Sequence, residues 1–481
     1  MFDLVVVGAG FSGLQAAYSL QQAGLSVATV EARDRVGGKS WSVSLCSIEG
    51  TADLGAAWVN DTLQPRIWSY IKLLGLSDSV VSQRLGHKGV FIQENGERSL
   101  FDFGMAPDVS GSIDEPENIL TNFLLTTLHK FPTAEKATFE RIRNHIQAES
   151  LKPNGLRPED DGISLDQYCR NLGAGSLTLS MINLWVRVMH GLESTEESAA
   201  WFIDYCRSNR GLFAVRADDC TGGNYLRLPQ GTQAIAKGIA GLIRYENISL
   251  SQPVASIEDK GSHVVVTTAA GKDFKSRKVI VSIPSSMYKE IDFLPALPPR
   301  VQELVYSNRL GHYNKAIVFY KTPWWRGLGF NGFALSYKGP ACVIRDTSVD
   351  DHGIWALTCF VNGRPGEEWS RRNAKERRKA ILDELAEIFG MSIESECYEP
   401  LEFRDQIWQH EQFSRGALCP VHQIGNYTKF ADVYGKPVGN IHFVGTEFSK
   451  DWKGYMEGAL ASGEQGAGEV IRALKESTTG L

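Results

Sequence analysis

Three glycines, Gly8, Gly10 and Gly13, stand in GxGxxG spacing within the stretch GAGFSG. In such a loop the first glycine permits a tight turn. The second lets backbone approach a pyrophosphate, and the third lets a helix pack on a strand. Phe11 and Ser12 complete the loop and open a helix whose N-terminal N–H groups and partial positive charge suit phosphate. Further along, Glu31 offers a carboxylate to a ribose diol, which disfavours a 2′-phosphate and hence NADP. The chemistry these residues imply is dinucleotide binding.

An isolated GxGxxG is a weak signal, so the elements around it decide. Leu4-Val5-Val6-Val7 is a strand-like apolar run that leads straight into the loop. A helical pattern follows through Leu14, Ala17, Tyr18 and Leu20 to Gly24, and a second apolar run, Val27 to Val30, ends at Glu31. This is strand, loop, helix and strand with an acid at the tip. The chain of 481 residues is long enough for two domains and a large core. Its 43% hydrophobic and 22% charged residues fit a soluble enzyme. Apolar runs of roughly 18 residues are absent, so no transmembrane helix is expected. Because a strand-like run begins at Leu4 and leads straight into the glycine-rich turn, no signal peptide is expected. A net charge of −6 without a basic stripe argues against nucleic acid and anionic membrane as partners. The eight cysteines form no CxxC and no Cys/His zinc spacing, so reduced thiols, a cytoplasmic location and no metal are expected.

Two further stretches point to a long, extended ligand. Glu31-Ala32-Arg33-Asp34-Arg35-Val36-Gly37-Gly38-Lys39 brings a second double-glycine turn flanked by cations, and ADLGAAWV brings Gly55, Ala56, Ala57 and Trp58. Together they resemble the N-terminal signature of the flavin-dependent amine oxidase family, which includes the monoamine oxidases. Lys39 stands where that family usually has Arg; it keeps the charge and loses the planar fork, so a looser phosphate contact is expected. Near the other end, the strand-like NIHFVGTE and the stretch DWKGYMEGALASGEQGA resemble the family's C-terminal signature. The resemblance implies that Gly445, Thr446, Glu447, Tyr455 and Met456 meet the flavin, with Glu447 near the ribityl chain. Backbone N–H groups around Met456 would face the pyrimidine carbonyls, and the small residues would let the helix approach. It also places Val254 near the adenine and Trp408, in IWQHEQFSRGALC, beside the cofactor.

The resemblance implies FAD and oxidation of an amine C–N bond to an imine, with O2 reduced to H2O2 and the imine hydrolysed or cyclised. LGHYNK resembles the family strand whose lysine bonds a water beside flavin N5, which assigns Lys315 a catalytic role together with Tyr455. Membrane-bound monoamine oxidases attach FAD through a cysteine of W-x-x-E-Q-Y-S-G-G-C. Aligned through Glu411-Gln412-Phe413-Ser414, that position is Ala417, with Cys419 two residues later, so non-covalent FAD is expected. Of the family's two aromatic rings flanking the amine path, Tyr455 matches one, and Leu418 replaces the other. The expected partners are a small-molecule amine and O2, with a homodimer compatible. Two other readings remain open: an L-amino-acid oxidase or desaturase of the same superfamily, for which Arg216 or Arg345 could bind a carboxylate, and a non-catalytic FAD-binding interaction protein.

The expected fold is α/β. A Rossmann-like FAD-binding domain of the glutathione-reductase type (1–82, 221–291 and 400–475) is interleaved with an α+β substrate-binding domain (83–220 and 292–399), in the amine-oxidase architecture. Residues 476–481 are expected as a C-terminal tail. The first substrate segment reads as helical, with loops such as MAPDVSGSIDEPEN. A hairpin turns near Gly271, and RRNAKERRKA reads as a solvated helix face.

Overall fold

In the computed structural model, which describes residues 1–102, 133–153, 158–215 and 217–479, the Phe2–Val7 strand lies inside an eight-stranded sheet. Both of its neighbours, Val27–Val30 and Asp273–Val281, run parallel to it. Parallel strands covered on both faces need apolar residues throughout, and Leu4 to Val7 are all buried. The sheet continues through Val264–Thr268, Val254–Asp259 and Asp292–Leu294 on one side and Ile248–Ser249 on the other, with Ile441–Phe443 beside Asp273–Val281. Val264–Thr268 and Asp273–Val281 form the expected antiparallel hairpin, with Gly271 at φ +78° in its turn.

The Phe11–Gln22 and Met456–Thr479 helices share one apolar cluster against this sheet. Their glycines explain how closely they approach. A Cβ on Gly463 would lie 2.3 Å from Ser12 O, and one on Gly466 would lie 2.2 Å from a Val444 methyl. These two glycines therefore serve packing of helix on helix and helix on strand, and not approach to a ligand. The helix also begins later than its glycine-rich text suggests: Asp451 to Tyr455 form a turn. It runs on to Thr479, so most of the expected tail is helix.

A second sheet has seven strands in the order Glu402–Gln406, Tyr313–Tyr320, Trp355–Asn362, Val343–Asp346, Phe330–Ser336, Lys88–Ile92 and Arg98–Asp102. Alternate residues point to opposite faces. Val90, Ala334, Ile344 and Cys359 pack with the Ala374–Phe389 helix, which opens on an Asn373/Glu376 capping box. Phe91, Phe333, Val343 and Phe360 pack instead with the Thr133–Leu151, Ser176–His190 and Ala199–Ser208 helices.

Two expected boundaries differ from the sheets. Asp292–Leu294 pairs with Val254–Asp259 in the first sheet, and Glu402–Gln406 pairs with Tyr313–Tyr320 in the second. Strands this short carry too little pattern to declare which sheet recruits them. The segment after residue 83 also opens with two strands before its helices, and MAPDVSGSIDEPEN lies outside the described residues. No helix among the described residues is long and apolar enough to cross a membrane.

Candidate active site

A cavity of ≈ 540 Å³ runs from the glycine loop to the second sheet. Every residue assigned above to FAD, to the amine path or to catalysis lines it, except Gly13. Gly13 has the packing role its motif position implies: a Cβ there would lie 2.0 Å from Gly8 O. Gly8 adopts φ +101°, and its Cβ would meet Ser282 Oγ at 2.8 Å. Gly10 is different. A Cβ there would meet only Gly38 Cα, at 4.0 Å, and would project into the cavity. Gly10 also caps the Phe11–Gln22 helix without a side-chain hydrogen bond. That cradle and its N–H groups fit a diphosphate.

At this end the Glu31 carboxylate accepts from Ala9 N–H at 2.6 Å and from Arg33 N–H at 2.9 Å, so it braces the loop as well as facing the cavity. Each oxygen keeps a lone pair for a ribose hydroxyl. Gln252 and Val254 complete this end, since Gln252 N–H donates to Glu31 O. The cavity wall here also carries a loop from Glu411 to Gly416. Arg33 donates to Glu411 and Ser414, and Arg415 makes a two-point pair with Glu290 at 2.7 and 3.1 Å.

Midway, Trp408 Nε1 donates to Leu54 O at 3.1 Å. Lys39 lines the cavity, and its Nζ donates to Leu418 O at 2.7 Å, which ties the ammonium to the loop that carries Leu418. A point charge needs one good acceptor, and the Leu418 carbonyl supplies it. Burial lowers the Lys39 pKa to about 8. Ala417 lines the cavity, whereas Cys419 lies behind the wall, with burial pushing its thiol up to about 12. Glu447 is buried and accepts from Ser285 N–H at 2.9 Å; burial raises its pKa.

The far end is aromatic. Lys315, on the Tyr313–Tyr320 strand, is 4% exposed and donates to Asp53 O at 2.8 Å and Gly55 O at 2.6 Å. Its Nζ lies 5.6 Å from the Trp58 ring centre and 5.5 Å from that of Phe360. Burial lowers its pKa to about 8. Tyr455 donates its hydroxyl to Val215 O, and its ring fits only because residue 223 is glycine, where a Cβ would come within 2.7 Å.

These features set a flavin-sized cleft against a buried lysine in an aromatic pocket. The model of the flavin containing amine oxidoreductases matches residues 11–471. The chain belongs to that family. It is 31% identical over 98% of its length, and 97% of the relative's, to a Mycobacterium tuberculosis protein named as the flavin-containing monoamine oxidase AofH. It is 29% identical to the flavin-containing amine oxidase B of Sus scrofa, covering 98% of this chain and 86% of that one. A putrescine oxidase solved with putrescine bound shares the fold at a TM-score of 0.84 and 23% identity, over 98% of this chain and 99% of that one. Cyclohexylamine oxidase from Brevibacterium oxydans matches at 0.81. This amine oxidoreductase is thus an FAD-dependent enzyme that oxidises amines.

The motif reading missed Gly223, Asn224, Tyr313 and Phe360, all of which line the cavity. Asn224 is 5% exposed, and its Nδ2 has no hydrogen-bond partner among the described residues. A GGN stretch before a strand was the available signal. Arg345, a candidate for a substrate carboxylate, is instead buried against Asp218 and does not line the cavity. Arg216 lies outside the described residues.

Proposed function

We propose that the enzyme oxidises a monoamine with an apolar or aromatic body and holds FAD without a covalent bond. The observation that carries this reading is the composition of the walls around Lys315: Trp58, Tyr313, Phe360, Leu418 and Tyr455. Three carboxylates line the cavity among the described residues, and all are engaged: Glu31 with Ala9 and Arg33, Glu290 with Arg415, Glu447 with Ser285. A second ammonium, as in a diamine, has no partner among them. With Arg345 held by Asp218, the same reasoning disfavours an amino-acid carboxylate.

Bound FAD would supply the redox chemistry, taking a hydride equivalent from the amine α-carbon and returning the electrons to O2. The chain's residues prepare the amine. Apolar walls desolvate an ammonium and so favour the free base that can react. The Tyr455 ring offers its face to the nitrogen, worth about 0.5–2 kcal/mol. Leu418 offers apolar area alone, which widens the path for bulkier or secondary amines. Lys315 fixes a positive charge beside the reacting region, where charge develops as O2 is reduced. Glu31 orients the ribose, and the Gly10 cradle the diphosphate. We assign the first sheet with its helices to FAD and the second with its helices to the amine.

The test is anaerobic bleaching of the yellow enzyme by monoamines, diamines and L-amino acids in parallel. Monoamines should bleach it fastest. Bleaching by amino acids or diamines alone would sink the substrate reading. The colour should also leave with the supernatant on acid precipitation; flavin kept in the pellet would overturn the non-covalent assignment.

A further inference from the structure

Lys315 borders a second, smaller cavity of ≈ 40 Å³. It lies behind Ala57, Trp58 and Lys315, the three residues that line both cavities. Its remaining walls include Asp53, Arg227, Thr358 and Ala356. Arg227 is 8% exposed; its Nη1 and Nη2 donate to Thr347 O and Ser348 O, each at 2.8 Å. Its Nε–H has no hydrogen-bond partner among the described residues. A buried donor left so is costly, and the cavity exceeds the roughly 10–15 Å³ that one water requires. Water there would accept from Arg227 and reach the Lys315 ammonium, two of whose three N–H groups are spent on Asp53 O and Gly55 O.

We propose that water in the small cavity links Lys315 to the Asp53 carboxylate and makes the two groups a proton store for the reaction. The inference rests on the reading of Lys315 given above. The step is a proton transfer. An Nζ–H bond breaks toward the water, and the water gives one of its own protons to Asp53. The Lys315 amine left behind takes up a proton released by amine oxidation, so an ammonium–carboxylate pair becomes an ammonium and a carboxylic acid with one proton more. As O2 is reduced the Asp53 O–H bond breaks and that proton returns by the same path. Oxidation of the amine releases two electrons and two protons, and reduction of O2 to H2O2 consumes two of each. The store holds one of those protons between the halves.

The energetics of the pair suit this use. Burial raises the Asp53 pKa to about 6, offset by hydrogen bonds from Ser42 and Thr232 and by the charge of Lys315, while burial lowers Lys315 to about 8. Burial thus moves the two groups toward each other, the carboxyl up and the ammonium down, which eases passage of a proton between them. Arg227 also faces Asp53, and Asp346, Asp350 and Arg326 act on Arg227, so these charges help set the balance.

Two variants of the holoenzyme test the store. Ala356→Val fills the small cavity, and Ala356 does not line the large one. Asp53→Asn keeps an oxygen for Ser42 and Thr232 but cannot take the proton. The flavin is reduced by light, without any amine, and mixed with O2. Reoxidation should slow roughly tenfold or more in both variants. A pH titration of the oxidised flavin spectrum should also be displaced. A high-resolution crystal structure should show water bonded to Lys315 Nζ in the natural enzyme and none in Ala356→Val. A dry cavity in the natural enzyme, or reoxidation at the natural rate in either folded variant, overturns the proposal. If Asp53→Asn does not fold, Ala356→Val decides alone. Failure of every monoamine to bleach the flavin would strike the substrate reading and leave this result standing.

Discussion

Around Gly8, Gly10 and Gly38 the wall of the large cavity is main chain, whereas around Lys315 it is the side chains of Trp58, Tyr313, Phe360, Leu418 and Tyr455. A main-chain wall has no adjustable part: a substituent at Gly8 or Gly13 meets another backbone or a fixed serine. A side-chain wall can be altered one residue at a time with graded effect. The same cofactor can therefore be kept while the amine changes. The difference teaches where variation is tolerable, and it can be tested by substitution at each end.

The largest effect belongs to the rigid end. Gly13→Ala sets a Cβ 2.0 Å from Gly8 O. The protein should emerge without FAD and with a lower Tm, at a cost of about 1–3 kcal/mol or more from overpacking. A yellow protein of unchanged absorbance ratio and Tm would break the comparison. Next comes Lys315→Met, which should keep FAD bound but slow reoxidation by O2 by roughly 10- to 1000-fold, the scale of one preorganised charge. With its pKa lowered to about 8 by burial, Lys315 is protonated below that pH and loses its charge above it. Reoxidation in the natural enzyme should then fall as pH rises through about 8, and this limb should be missing in Lys315→Met. Stopped-flow rates that ignore both the variant and the pH remove Lys315 from the mechanism.

Smaller still is Leu418→Tyr. It should lower kcat/KM for bulky amines by about tenfold, within the 1–3 kcal/mol that pocket shape can discriminate, and spare small primary arylalkylamines. Equal changes for both would mean that Leu418 does not shape the path. The smallest effect is expected at the loop over the dinucleotide end. Arg415 has φ +50°, uncommon for a residue with a side chain, and pairs with Glu290 while half exposed. Arg415→Ala should raise the rate of FAD release only about two- to fivefold at low salt, and the difference should vanish in concentrated salt. A large, salt-independent change would show a role beyond that pair.

How far the sequence could be read follows the same division. Gly8, Gly10, Gly13 and Glu31 are legible because main-chain ligand contacts demand particular residues at fixed local spacing. The stretch from Gly445 to Met456 is legible for a similar reason. Tyr313, Phe360 and Asn224 are not, because aromatic and amide residues occur throughout cores and nothing local marks them as cavity wall. Lys39 could be placed beside the cofactor, but its acceptor, Leu418 O, lies far along the chain. Gly463 and Gly466 show the opposite error. Their spacing advertises close approach, and the chain alone does not say that Ser12 and Val444 are what they approach.

The contact of Gly463 with Ser12 has a consequence for biosynthesis. The first helix of the nucleotide site emerges early from the ribosome, but its packing partner is encoded more than four hundred codons later. At ~5–20 residues per second that interval lasts tens of seconds. Throughout it the apolar face of the Phe11–Gln22 helix lacks its cover, so the nascent chain should be a client for chaperones. Flavin loading should be post-translational, and ribosome-stalled chains ending before residue 456 should capture none.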